Sequence, residues 1–168
     1  MKSAPFKLIA LILLCIFSFS CSEQDNGIYF NEIEENINPE NVIYTNLETE
    51  ILDLVNEYRK NLSLPALENL NIVSAVADNH TDYMIETGKI SHDNFDNRSQ
   101  YLINNVNAKS VGENVAFGYT SAKGVFNGWL KSESHKRVIE NPYYTHFGIS
   151  VELNAEGRNY FTQIFIKK

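Results

Sequence analysis

The side chains of this chain best suited to acid–base or metal chemistry are its four histidines, at positions 80, 92, 135 and 146. His135 lies in "WLKSESHKRVIENP", just past the only tryptophan, Trp129, with Ser132 and Glu133 ahead of it. His92 follows Gly88-Lys89-Ile90-Ser91, a loop-like stretch. Glu113 sits in "VGENVAFG", where a carboxylate enters an apolar run and must find partners or shift its pKa. On spacing alone His92 and His135 each read as a solvated loop histidine. Nucleophilic catalysis has less to stand on, because Ser132 near His135 has neither a nucleophile elbow nor an oxyanion loop around it. "DNFDN" at 93–97 offers oxygen ligands but lacks the glycine and the terminal glutamate of a calcium loop.

These residues need elements to hold them. Ile51, Leu54, Val55, Tyr58 and Leu62 form one helical stripe, with Thr45 or Asn46 as N-cap and Pro65 beyond its end. On that helix Asn56 and Arg59 read as a hydrogen-bond network pinning it to the following loop. A second stripe, Val73, Val76, Ala77, His80 and Met84, closes at Gly88 and makes His80 a buried structural histidine. Asp96 or Asn97 would cap a third helix carrying Tyr101, Leu102 and Val106. Ser121 would open a fourth through Val125 and Trp129, where Gly124 and Gly128 mark close packing. The period then changes. "HFGISVEL" alternates, "NAEGR" turns, and "NYFTQIFIK" is apolar on both faces, which predicts a hairpin whose last strand is central. His146, at the start of that hairpin, reads as a surface residue, and "NVAFGY" (114–119) reads as one more short strand. Helices first and antiparallel strands later make the class α+β.

The N-terminus speaks of export. Lys2 and Lys7 precede an apolar run, Leu8 to Phe17, too short to span a bilayer as a helix, and Ser18-Phe19-Ser20 then leads to Cys21. Residues 1–20 are read as a signal peptide and Cys21 as a lipidated first residue, which predicts a membrane anchor on an outer-membrane or cell-surface lipoprotein. Cys15 leaves with the signal, so the exported part has no disulfide. The net charge of −7 is unevenly spread: residues 21–50 carry eight acids and no Lys or Arg, whereas 51–168 carry 13 acids and 12 bases. An acidic tether, 21–45, thus precedes a nearly neutral domain, 46–168. No basic stripe exists for nucleic acid, and the chain is expected to be a monomer.

Four segments, "NEYRKNLSLPAL", "ADNHTDYMIETGKISHDNF", "VGENVAFGY" and "GWLKSESHKRVIENPYYTHFGISV", resemble in order and spacing the CAP superfamily, which comprises the cysteine-rich secretory, antigen 5 and pathogenesis-related-1 proteins. The resemblance covers about residues 47–168 and is closest to the compact bacterial branch of these SCP-like domains. It implies a three-layer α-β-α sandwich around an antiparallel sheet. It also implies a shallow cleft that collects His92, Glu113 and His135, with Ser132 where many members carry a second acid and Glu133 one place out of register. On that resemblance the trio is the candidate catalytic set, His92 and His135 the candidate Zn²⁺ ligands, and His92, Glu113, Ser132 and His135 the candidate ligand-binding residues. The functional expectation is a surface-anchored module whose cleft binds a divalent metal, a small lipid or a protein partner without catalysis. The competing expectation is a metal-dependent hydrolase acting on peptide or envelope substrates.

Overall fold

A computed structural model describes residues 37–168. The leader and Cys21 lie outside the described residues, as does most of the tether. A short 3-10 turn, Pro39–Asn41, comes first. Helices α1 (Asn46–Asn61), α2 (Asn71–Thr87), α3 (Phe95–Val106), α4 (Ala122–Lys131) and α5 (Glu133–Ile139) follow, interleaved with strands β1 (Glu68–Asn69), β2 (Ser110–Phe117), β3 (His146–Leu153) and β4 (Asn159–Lys167). Among the described residues no helix is long and apolar enough to cross a membrane.

The four strands form one sheet in the order β1-β3-β4-β2. The β3–β4 hairpin and the β2–β4 pair are antiparallel, and the two-residue β1 is parallel to β3. β4 is therefore central, as its apolar residues on both faces require, and β2 is an edge. One face packs Phe161, Phe165, Phe147 and Ile149 against α1 and α4 through Ile51, Val55, Val125 and Trp129. The other packs Ile164 and Ile166 against Val73, Val76 and Ala77 of α2 and Tyr101 and Leu102 of α3. The result is helices on both sides of a sheet, the expected three-layer sandwich.

Local chemistry explains the element ends. Thr45 caps α1 with a capping box: its hydroxyl accepts from the Glu48 N–H at 3.2 Å, and Glu48 Oε2 accepts from the Thr45 N–H at 2.8 Å. The other Glu48 oxygen accepts from Val151 N–H at 2.9 Å, so the same cap ties α1 to β3. The α1 stripe differs from expectation at its end. Leu62 is exposed, because the helix stops at Asn61, while Leu52 and Arg59 are buried. Arg59 and Asn56 do pin the following loop: Asn56 exchanges two hydrogen bonds with Leu67, and Arg59 donates to the carbonyls of Pro65, Ile139 and Asn141.

The α2 stripe is fully buried, and Gly88 ends it in the left-handed conformation. Two boundaries need correction. α3 starts one residue after Asn94, which sits at φ 59°, rather than after Asp96 or Asn97. β2 runs from Ser110 to Phe117, and Gly118 at φ 79° stops it before Tyr119. Residues upstream of 46 also pack: Ile37 lies against the α2–α3 core and Tyr44 shares a hydrogen bond with Ser74 at 2.9 Å.

Gly148 shows how close α2 lies on the sheet. A Cβ there would run into the backbone of Val73 and Ser74, which is a rigid helix and not a movable side-chain tip. Gly148→Ala is predicted to cost about 1–3 kcal/mol through overpacking, read as a lower midpoint in chemical denaturation. An unchanged midpoint would show that α2 can lift off β3 freely.

Candidate functional site

The site grows around Glu113 on the edge strand. Its place on β2 turns its side chain toward the α2–α3 layer, where that side chain is only 1% exposed. α3 supplies the countercharge. Arg98 is fully buried, and it donates from Nε to Glu113 Oε2 and from Nη2 to Oε1, both at 2.9 Å. This is a two-pronged guanidinium–carboxylate pair closed off from water. The third guanidinium nitrogen, Nη1, donates to the Asp93 carbonyl at 2.7 Å and so holds the turn that leads into α3.

That turn carries His92. Its Nδ1 lies 2.8 Å from Glu113 Oε1. An ionised carboxylate can only accept, so Nδ1 carries the hydrogen and Nε2 keeps a free lone pair. The His92 side chain is about half exposed (51%), so this lone pair belongs to a ring at the surface. Beside it is a cavity of about 640 Å³ lined by Tyr83, His92 and residues 93–97. Burial alone would raise the Glu113 pKa, but the His92 hydrogen bond and the Arg98 charge and hydrogen bonds outweigh it and hold the carboxyl below its usual range.

His80 closes the cluster from below. It is completely buried on α2, its Nε2–H donates to the Ser91 carbonyl at 2.9 Å, and the same nitrogen lies 3.9 Å from Glu113 Oε1. Burial, and after it the Arg98 charge, push His80 down to about 4. A neutral, buried histidine thus anchors the residue next to His92, which agrees with its structural reading.

His135 approaches from the opposite helical layer, on α5. Burial, and then the neighbouring His92, hold its pKa below the ordinary imidazole value. Its carbonyl accepts from Asn114 Nδ2 at 3.1 Å. Asn114 follows Glu113 on β2, so the edge strand presents one side chain to the His92 side and the next to the His135 side. Ser132 is the residue between α4 and α5, and its hydroxyl is shared with Ser134 at 2.9 Å. Glu133 is exposed in the first turn of α5. His146 is not the surface residue expected: it lies on β3 between β1 and β4, its side chain is 17% exposed, and its Nε2 is 3.6 Å from Glu68.

Arg98 is the residue that sequence reading missed. The signal was present: Arg98 stands three and four positions before Tyr101 and Leu102, on the apolar stripe of α3, where a charge requires a buried partner.

With the geometry in place, comparisons identify its setting. A model of the cysteine-rich secretory protein family, CAP, matches residues 52–165. The membrane protein YlbC of Bacillus subtilis (strain 168) is 35% identical over 129 residues, covering 75% of this chain and 36% of that protein. The protein YkwD of the same organism is 28% identical over 127 residues, covering 72% and 47%. The chain thus spans about a third to a half of the length of these curated relatives. An extracellular protein containing an SCP domain from Bacillus anthracis str. Ames superposes with a TM-score of 0.64 at 29% identity, over 72% of this chain and 40% of that one. An outer surface protein of Borrelia burgdorferi superposes with a TM-score of 0.66 at 25% identity, over 75% and 96%.

The buried cluster makes stability depend on pH. An unfolded histidine protonates near 6.5, whereas folded His80 resists until about 4. Between those values the unfolded chain binds more protons, so stability is complete above the upper value and is lost as pH falls. The expected loss is about 3 kcal/mol from pH 6.5 to 4. Glu113, whose folded pKa is depressed, adds a further loss below the ordinary carboxylate range. Urea denaturation at a series of pH values checks this, and His80→Gln should flatten the upper part of the slope. Equal slopes in both proteins would contradict a buried neutral His80.

Proposed function

The chain belongs to the cysteine-rich secretory protein (CAP) family, in its bacterial SCP-like branch, and from that premise we propose an exported, lipid-anchored surface protein whose His92–His135 cleft binds a divalent metal, Zn²⁺ being the best suited, and through it a small ligand or partner. Export is supported by two structural neighbours, one an extracellular protein and one an outer surface protein. The signal peptide and Cys21 are read from the sequence alone.

The observation that carries the metal reading is how Glu113 is used. Both of its oxygens are engaged by Arg98 and one also by His92, so it serves His92 as an orienting acceptor. A carboxylate that fixes an imidazole through one nitrogen while the other faces outward is the supporting arrangement common behind metal-binding histidines. Among the described residues no group of three or more His, Cys, Asp and Glu side chains is placed to hold a metal ion. The donor set is therefore two imidazoles, His92 Nε2 and His135, completed by water or by the ligand itself. Such a site fits an exchangeable cation and not a permanent structural one. A bound cation would supply a Lewis-acid contact for an oxygen or nitrogen of whatever enters the cleft.

Two facts favour binding over catalysis. Glu113 is only 1% exposed and engages Arg98 and His92 with its oxygens, which places it poorly for taking a proton from an incoming ligand. The Ser132 hydroxyl, near His135 in sequence, is hydrogen-bonded to Ser134.

Titration calorimetry with ZnCl₂ tests the proposal. Binding is expected in the wild type, lost in His92→Ala/His135→Ala, and weakened about 10–100-fold in Glu113→Gln, whose neutral amide orients His92 less firmly. Because ligating imidazoles must be neutral, affinity should fall as pH drops below about 6.5. Equal zinc binding by wild type and double variant would remove the metal from the cleft. Zinc-dependent peptide hydrolysis lost in the same variant would replace the binding role with a hydrolytic one.

A further inference from the structure

Three polar atoms on the far side of β2 have no partner within the protein: Asn114 Oδ1, Gln163 Oε1 and Gln163 Nε2. Both residues are fully buried. They are directly opposite each other on β2 and β4, so their side chains leave the sheet on the same face with Cβ atoms about 5 Å apart. The residues two positions either side of Gln163, Phe161 and Phe165, belong to the core beneath α4 and α5 with Trp129 and Ile139. A polar atom without a partner in such surroundings is strongly disfavoured, and here three stand together on two neighbouring amides without bonding one another.

The orientation of Asn114 is fixed, because its Nδ2 donates to the His135 carbonyl and leaves Oδ1 as an acceptor. The orphan set is therefore two acceptors and one donor, all uncharged. A cation would suit the oxygens but be repelled by the Gln163 N–H groups, and an anion would meet the reverse conflict. Water offers two donors and two acceptor sites. Neither residue lines either of the cavities beside His92 or between Tyr44 and Glu152, so the occupant is small and enclosed.

We infer that Asn114 and Gln163 hold a buried hydration site, with at least one water donating to Asn114 Oδ1 and accepting from Gln163 Nε2, and that this pair sets the position of His135 through its carbonyl. Gln163 and Asn114 are then positioning residues for the cleft, acting from within the core. The inference stands on the amides and does not depend on whether His135 takes a metal.

Water-selective nuclear Overhauser spectra of the ¹⁵N-labelled protein test it. The side-chain NH₂ groups of both residues should show cross-peaks to a water that stays bound for longer than about a nanosecond. In Gln163→Leu the Asn114 cross-peak should vanish and the melting temperature should fall, since the water loses one anchor. The ¹³C shift of the His135 carbonyl and its ring-proton shifts should also move, because Asn114 bonds that carbonyl, which a purely structural role would not require. Absence of bound-water cross-peaks in the wild type would overturn the inference whether or not the variant folds, as would a Gln163→Leu variant that melts higher. Cross-peaks with unmoved His135 carbonyl and ring shifts would overturn the positioning role.

Discussion

A carboxylate on an edge strand and a guanidinium on the neighbouring helix, both closed off from water, set the terms for the rest of this molecule. Neither Glu113 nor Arg98 can stay charged in the α2–α3 core without the other. Their pairing fixes the distance between α3 and β2. Through the Asp93 carbonyl it also fixes the turn that carries His92, and through Oε1 it fixes the tautomer of that imidazole. The outward-facing lone pair of His92 follows from the buried pair. His80 supports the same turn through Ser91, so the one exposed ring in the cluster rests on three buried side chains.

The helix that carries His135 is held by a different buried cation. Arg59, fully enclosed between α1 and the sheet, donates to the carbonyls of Ile139 and Asn141 at the end of α5 and so anchors the helix bearing His135. Burial lowers its pKa, but its donors all meet carbonyl oxygens. Each helical layer thus uses one arginine to bring one histidine to the edge of β2. Glu113 and Asn114 are consecutive on the edge strand β2 and turn to opposite layers, so His92 and the His135 carbonyl are held beside the same strand.

Legibility in the sequence followed local periodicity. The stripes of α1, α2 and α4 and the central place of β4 were readable because apolar spacing directly encodes a buried face. The start of β2 was not, since Val111, Gly112 and Glu113 lack strand alternation; Gly112 is needed because a Cβ would meet the Tyr144 hydroxyl and Val138. The α3 cap was misplaced because Asn94 adopts a left-handed backbone that composition does not announce. Glu113 could be singled out as a carboxylate in need of a partner, yet Arg98 as that partner depends on how α3 docks. His92 and His135 are 43 positions apart and on opposite layers, so only the family resemblance linked them. The amides of Asn114 and Gln163 were hidden for the same reason, because strand register decides what stands opposite.

The most direct test of this account is a double-mutant cycle on the buried pair, read by urea denaturation near neutral pH. Glu113→Gln and Arg98→Met should each cost about 3–5 kcal/mol, because each leaves a charge or a set of donors buried without its counterpart. The double variant should cost much less than the sum, giving a coupling of several kcal/mol. Single losses below about 1 kcal/mol, or losses that simply add, would contradict the claim that the Glu113–Arg98 pair is what holds His92 in place.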